Sequence, residues 1–258
     1  MKILVCIKQV MDPGSGIKIN DDSQWIRYSK NHRFQINSYD EYAIEEAIRI
    51  KEALKDVRVD VITVGPVRAK DALRRALGMG ADDVIHILDE NVGFRPPALT
   101  AQWIAKAVKE KNYDLILAGI MSEDEMNGQT GPMIARILNL PCNGPTIDAR
   151  IQPDQKSMVV EREIEGGARD IFEISLPCLL TIQTGINQPR YPALSKVLRA
   201  KKKEIETIAA DSLETLSDLL KLHTLELPPQ KPQGLVLEGS ALQKATDLVD
   251  LLAAKSYL

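Results

Sequence analysis

Residues 119–131 read Gly-Ile-Met-Ser-Glu-Asp-Glu-Met-Asn-Gly-Gln-Thr-Gly, the stretch of this 258-residue chain where groups able to hold a ligand are densest. Glycines at 119, 128 and 131 permit close backbone approach, and Asn127, Gln129 and Thr130 carry hydrogen-bonding groups suited to a nucleotide. An apolar strand pattern precedes the stretch and a helical pattern follows it, so unpaired N–H groups and a positive helix end would meet a phosphate there. Glu123, Asp124 and Glu125 count against this, because carboxylates repel phosphate unless they face a ribose or solvent. From spacing alone, a nucleotide loop and a polar loop with an acidic helix cap are both open.

Three further segments carry polar groups in patterns. Asn37-Ser38-Tyr39-Asp40 stands at a helix start, where plain N-capping is the favoured reading and Ser38-x-x-Glu41 has capping-box spacing. Arg162-x-x-Glu165-Gly166-Gly167 reads as a hairpin. Pro189-Arg190-Tyr191-Pro192 holds its chain extended, which makes the following Leu194 a candidate anchor for another protein, although an ordinary packed loop is the commoner outcome. Catalytic signatures fail: there is no G-x-x-x-x-G-K-[ST], H-E-x-x-H or G-x-S-x-G, and the pairs Gly14/Gly16 and Gly78/Gly80 lack a third glycine. His32, His86 and His223 are isolated, and His86 lies in an apolar run where a satisfied core histidine is expected. Cys6, Cys142 and Cys178 form neither a C-x-x-C pair nor an even set, so a reducing compartment and no metal site are expected.

The elements that must position these groups follow from hydrophobic period. Strand-like runs at 2–10, 59–64, 83–88 and 113–118 alternate with helical patterns at 38–54, 68–77, 98–111 and 129–138, the first with a Glu45/Arg49 pair. Such alternation implies right-handed βαβ crossovers and a doubly wound, mainly parallel α/β sheet of the Rossmann-like, adenine-nucleotide-binding type. Ligands of these sheets bind outside the strands' carboxyl ends, here the loops 9–37, 65–68 and 119–131. Short strands at 158–164 and 170–174 add a hairpin, and 179–183 another strand. Beyond lie Lys201-Lys202-Lys203, an acidic stretch, a proline-rich segment at 227–232 and a helix at 240–254, so the expected division is a domain at 1–200 and an extended arm at 201–258.

Lys+Arg number 33 against 36 Asp+Glu, a net charge of −3 that gives no field drawing the chain to nucleic acid or an anionic membrane. Aromatic residues make up 4%, too few for base-stacking platforms, and no apolar run nears the roughly 18 residues that span a bilayer. The N-terminal run is broken by Lys8 before a signal core could form, so a soluble, cytoplasmic protein is expected, with no nucleic acid partner and no direct membrane insertion. A nucleotide-hydrolysing or adenylate-transferring enzyme on the same fold would need a phosphate lysine or a carboxylate pair, for which only Asp124 and Glu125 offer themselves. A stand-alone nucleotide-binding protein fits poorly with the proline-rich tail and its terminal helix, whose Leu242, Leu248, Leu251 and Leu252 want a surface to cover.

Taken together, Val160-Glu161-Arg162-Glu163-Ile164-Glu165-Gly166-Gly167, then Leu176-Pro177, Asn187-x-Pro189-Arg190-Tyr191-x-x-Leu194 and Ala200-Lys201-Lys202-Lys203 resemble the β subunit of electron transfer flavoprotein. The residues at 6–10 (CIKQV), 37–46, 76–82 and 129–131 agree in order and spacing, so the resemblance covers nearly the whole chain. It implies a heterodimer with an α subunit, an FAD held mostly by α and shared at the interface, and an AMP in the β subunit. It also implies electron transfer from flavin-containing dehydrogenases to a quinone reductase or another acceptor, the chain being an electron carrier rather than an enzyme. Residue by residue, it implies that Cys6, Asn37, Ser38, Tyr39, Asp40, Val64, Gly119, Ser122, Asp124, Met126, Asn127, Gly128, Gln129 and Thr130 line the AMP pocket. The segment 191–200, with Tyr191, Leu194 and Val197, is implied to meet the dehydrogenase, and the arm 201–258 to pack on α. Departures are Asn37-Ser38-Tyr39 where the family often has Asn-Pro-[FY], and Gly119-Ile120-Met121 where it has Gly-Lys-Gln, which removes a cation. A subset of the family bifurcates electrons with a second FAD in the AMP position and tends to show Gln-Val-Gly-Pro; here Gln129-Thr130-Gly131-Pro132 is a mixed pattern.

Overall fold

The structure, a computed structural model, describes residues 1–22, 24–213, 220–229 and 234–258; Gln230, Lys231 and Pro232 of the proline-rich segment lie outside the described residues. The chain divides into two units, Met1–Leu225 and Glu226–Leu258. The first contains β1 (Lys2–Ile7), β2 (Gln9–Met11), β3 (Phe34–Ile36), α1 (Ser38–Ala53), β4 (Arg58–Gly65), α2 (Lys70–Met79), β5 (Asp83–Leu88), α3 (Pro97–Val108), β6 (Leu115–Gly119) and α4 (Thr130–Leu138). It continues through β7 (Cys142–Ile151), β8 (Ser157–Glu163), β9 (Arg169–Ser175), β10 (Cys178–Ile182), α5 (Leu194–Ala200) and β11 (Glu206–Ala209). The second unit holds α6 (Ala241–Ala254), opened by a capping box between Ser240 and Gln243.

One sheet runs in the order β11-β5-β4-β1-β6-β10-β7-β8-β9, parallel from β11 to β7 and antiparallel from β7 to β9. Its central strands are apolar on both faces because both are covered. In β1, Ile3 and Val5 pack with Ile44 of α1 and Leu73 of α2, while Leu4 and Cys6 pack with Trp103 of α3 and Ile134 of α4. The chain leaves β1 toward β4 and β5, then returns to β6 on the other side of β1. The order therefore reverses between β1 and β6, and the loops after these two strands diverge and leave a crevice.

Several local expectations need correction. The strand expected over 2–10 stops at Ile7, and Gln9–Met11 turns away to pair with Phe34–Ile36 in a separate ribbon. Ser38 does not cap α1; Asn37 holds the N-cap position without a side-chain cap bond, because both side chains serve the neighbouring loop. Arg49 pairs with Glu46, not Glu45. The hairpin is present, with Gly166 and Gly167 at positive φ between β8 and β9. The segment after Pro192 does not stay extended: Leu194 begins α5, which lies on α2, where a Cβ on Gly78 would meet Pro192 Cβ at 3.1 Å and Val197 Cγ2 at 3.2 Å. Strand β11, beyond residue 200, completes the sheet edge beside β5.

Candidate functional site

At the reversal point the carboxyl ends of β1, β4 and β6 open into a cleft. The first turn of α1 forms its floor. Asp40, buried, accepts the Lys8 N–H at 2.7 Å on Oδ2 and the Gly119 N–H at 3.0 Å on Oδ1, so one carboxylate joins the ends of β1 and β6. Asn37 Nδ2 donates to Met121 O at 2.9 Å, Asn37 Oδ1 accepts the Glu123 N–H at 3.0 Å, and Ser38 Oγ donates to Glu123 Oε1 at 2.6 Å. Burial pushes the Asp40 carboxyl up to about 7, against the lowering effect of the bonds from Lys8, Asn37 and Gly119. Burial, with the Asp40 charge beside it, drives the Cys6 thiol far above its ordinary value, so Cys6 remains a neutral lining group and not a nucleophile.

The three acids that argued against a phosphate are already engaged. Glu123 is held by Ser38, and Lys8 Nζ reaches Asp124 Oδ1 at 2.8 Å and Glu125 Oε1 at 3.1 Å. Burial alone would lower the Lys8 ammonium, but Glu125 and Asp124 outweigh it and raise it above its ordinary value. Helix α4 then begins at the cleft, its N-cap Gln129 making no side-chain cap bond, so its first N–H groups point outward as donors for an anion. A Cβ on Gly131 would lie 2.9 Å from Thr181 Cγ2, which is why α4 can start this close to β10.

Of the residues read from the sequence, Cys6, Asn37, Asp40, Val64, Gly119, Ser122, Asp124, Asn127, Gly128, Gln129 and Thr130 line the cleft. Ser38 and Tyr39 stand behind it, one on Glu123 and the other against Gly119, and Met126 is 65% exposed at φ 53°. On a separate surface, Tyr191 and Leu194 are 86% and 74% exposed, whereas Val197 turns toward Gly78. The opposite wall of the cleft is legible in the sequence only as the loops 9–37 and 65–68 and not as individual residues, and Arg95 lies outside both. Trp25, Tyr28, Arg68 and Arg95 line it, Arg68 lying 3.8 Å from the Phe34 ring centre and donating to Gln9 Oε1 at 2.5 Å, and Arg95 forked onto Asp89 at 2.6 and 3.0 Å. Trp25 and Tyr28 share one loop, Arg68 and Arg95 come from two other segments, and no spacing in the sequence groups the three. His86 is buried with Nε2 2.8 Å from Gly65 O, but its Nδ1 is buried without a hydrogen-bond partner, so the satisfied core histidine expected is found on one side of the ring only. Among the described residues no group of three or more His, Cys, Asp or Glu is placed to hold a metal, and no helix is long and apolar enough to cross a membrane.

A doubly wound sheet whose reversal point opens between glycine-bearing loops and a helix start defines an α/β protein of the Rossmann-like type. Residues 27–213 match the electron transfer flavoprotein domain. The chain is 36% identical over 267 residues to the electron transfer flavoprotein subunit beta of Bacillus subtilis, covering 99% of each, and 32% identical over 244 residues to that of Homo sapiens, covering 92% of this chain and 93% of the human one. Against the subunit of Methylophilus methylotrophus it is 29% identical over 260 residues, covering 98% of each. The chain belongs to the electron transfer flavoprotein family, among its β subunits. Membership makes it one part of an electron-carrying flavoprotein, with an α subunit as counterpart.

Proposed function

We propose that the chain binds AMP in the cleft between β1 and β6, helps enclose an FAD carried mainly by the α subunit, and passes electrons from flavin-containing dehydrogenases to a quinone reductase or another acceptor. It works in the cytoplasm and performs no bond chemistry of its own. The observation that carries this reading is that each acid of the loop already has a partner within the protein. With Glu123 on Ser38 and with Asp124 and Glu125 on Lys8, the cleft presents N–H donors of α4 and Asn127 to a phosphate, not bare carboxylates. Cys6, Val64, Ile104 and Ala118 supply apolar walls of a kind an adenine ring requires. Such a donor set fits an adenylate and dispenses with the lysine missing at 120, so AMP would be held by backbone and amide groups. The FAD supplies the electron-carrying chemistry; this chain's contribution is to close its site and fix the loops around it.

A second reading, two FAD and electron bifurcation, draws support from the outer wall. Trp25, Tyr28 and Arg68 add two aromatic rings and a guanidinium to the lining, groups suited to stack on a ring or pair with a phosphate of a larger nucleotide. Co-purification with the α subunit, denaturation and counting of released cofactors separates the two. One FAD and one AMP per heterodimer is the expected result; two FAD and no AMP establishes the second reading, and no adenine nucleotide at all removes both.

Of the arm expected at 201–258, β11 belongs to this chain's own sheet; the part from Glu226 on is proposed to lie on the α subunit, since α6 exposes Leu242, Leu248 and Val249. Tyr191 and Leu194 are proposed to meet the donor dehydrogenase. Leu194→Ala is expected to slow electron uptake from the dehydrogenase by roughly tenfold, about 1.4 kcal/mol and within the range of a contributing interface residue, with FAD content and unfolding temperature unchanged. Stopped-flow flavin absorbance checks this, and an unaltered rate rules the anchor out.

A further inference from the structure

The carboxylate of Asp40 is spent on the protein itself. Each of its oxygens accepts a main-chain N–H, from Lys8 at the end of β1 and from Gly119 at the end of β6, and the residue is 5% exposed. These are the two strands between which the order of the sheet reverses, so the distance between their ends sets the width of the cleft floor. The fit is built in from the other side as well: a Cβ on residue 119 would stand 2.4 Å from Asp40 Oδ1. A carboxylate with both oxygens committed in this way has little left to offer a ligand directly.

We propose that Asp40 is a positioning residue and not a nucleotide ligand: as a carboxylate it clamps the ends of β1 and β6 together, and the cleft retains its adenylate tightly only while that clamp is closed. The inference rests on the nucleotide reading above. It deepens that reading by making retention depend on the ionisation of one buried group. A protonated carboxyl keeps a full acceptor on one oxygen only, so one of the two N–H groups loses its partner and the strand ends are free to part.

The groups that face Asp40 leave it as the one that titrates near neutrality. From β1 and its end come Cys6, held as the thiol, and Lys8, held as the ammonium by Asp124 and Glu125; from the start of its own helix comes the neutral Asn37; from β6 comes the Gly119 N–H. The nearby Glu123 is bound to Ser38. Burial places Asp40 itself at about 7. At pH about 6 only about a tenth of such a group is ionised, and an affinity that needs the ionised form falls in proportion.

The test uses the heterodimer with its α subunit, stripped of nucleotide and titrated with AMP at pH about 8 and about 6. Wild type is expected to bind roughly tenfold more weakly at the lower pH. Because the AMP phosphate takes up a proton in the same region, the decisive quantity is the difference from Asp40→Asn. That variant is expected to bind at least about tenfold more weakly than wild type at pH about 8 and to show only the phosphate's share of the pH dependence. Wild-type affinity or a wild-type profile in Asp40→Asn overturns the proposal. Amide hydrogen exchange in the nucleotide-free heterodimer reads the clamp separately: the Lys8 and Gly119 N–H groups are expected to be protected in wild type and to lose protection in the variant. Protection unchanged by the substitution overturns the clamp. Lost protection together with no AMP binding by wild type at either pH leaves the clamp standing and removes retention along with the nucleotide reading.

Discussion

Gly119→Ala is expected to destabilise the protein by about 3 kcal/mol, the upper range for overpacking a filled site, and to leave the heterodimer without bound AMP. Residue 119 closes β6, and its φ lies outside the left-handed region, so backbone strain plays no part. Space is the whole issue. An alanine Cβ would sit 2.4 Å from Asp40 Oδ1, 2.6 Å from Tyr39 Cβ and 3.1 Å from Asp40 N. The carboxylate could swing aside, but the other two atoms belong to or adjoin the backbone of the first turn of α1. That turn is fastened by Asn37 to Met121 and Glu123 and by Asp40 to Lys8. To admit one methyl group, the start of α1 must back away from β6, and the bonds holding the cleft floor go with it. Thermal unfolding and released AMP per FAD are the measurements. Gly16→Ala, where nothing lies within 4 Å of the added atom, is the control and is expected to match wild type in both. An alanine at 119 that unfolds with wild type and keeps its AMP would show that α1 yields freely, and the clamp would lose its geometric basis.

The sheet's centre is legible in the sequence because its strands are buried on both faces: KILVCI in β1 and VDVITV in β4 have few other homes. Strand β7 is not legible. Its Cys142–Ile151 mixes Asn143, Gly144, Pro145, Asp148 and Arg150 with two isoleucines, and most of its residues are only half-buried. Four-residue β11, one of the two outer strands of the sheet, carries too little pattern to be seen at all. The site divides along the same line. Residues 119–131 stand out because glycines and amides crowd behind a strand, and local order suffices to find them. Lys8, Arg68 and Arg95 lie on three separate loops that converge only because β1 ends up between β4 and β6. Asp40 hides for a different reason. An acid in a helix's first turn is what the helix dipole favours anyway, so nothing in its position announces that both oxygens are bonded to other strands' ends.

The same helix supports the surface proposed for the dehydrogenase, and there Arg190→Ala is expected to have the largest effect on electron transfer. Arg190 Nε and its backbone N–H donate to Glu45 Oε2 at 2.8 and 3.1 Å, and Nη2 donates to Glu45 Oε1 at 2.9 Å. A second fork reaches Glu52 at 2.5 and 2.9 Å, but Glu52 is exposed and that pair counts for little. Glu45, 4% exposed, is the partner that matters, and Asn187 adds bonds to Tyr42 O and Glu46 Oε2. Thus the backbone leading into Tyr191 and Leu194 is pinned to the middle of α1. Truncating Arg190 leaves the Glu45 carboxylate buried without its cation, at a cost of about 3 kcal/mol for a pair largely shielded from water. It also frees the segment that presents Leu194. The two effects separate in the double variant Glu45→Gln/Arg190→Ala. Removing the orphan charge is expected to restore most of the lost stability, while electron uptake stays slowed by roughly tenfold or more, because an amide cannot hold an absent guanidinium. Arg190→Lys is expected to recover only part of the rate, since an ammonium cannot fork onto Glu45 and keep Glu52 in the same plane. Urea midpoints and stopped-flow flavin absorbance on the heterodimer give both numbers. A double variant that takes up electrons at the wild-type rate would mean that the segment's position does not depend on α1, and that Tyr191 and Leu194 are held by α5 packing on α2 alone.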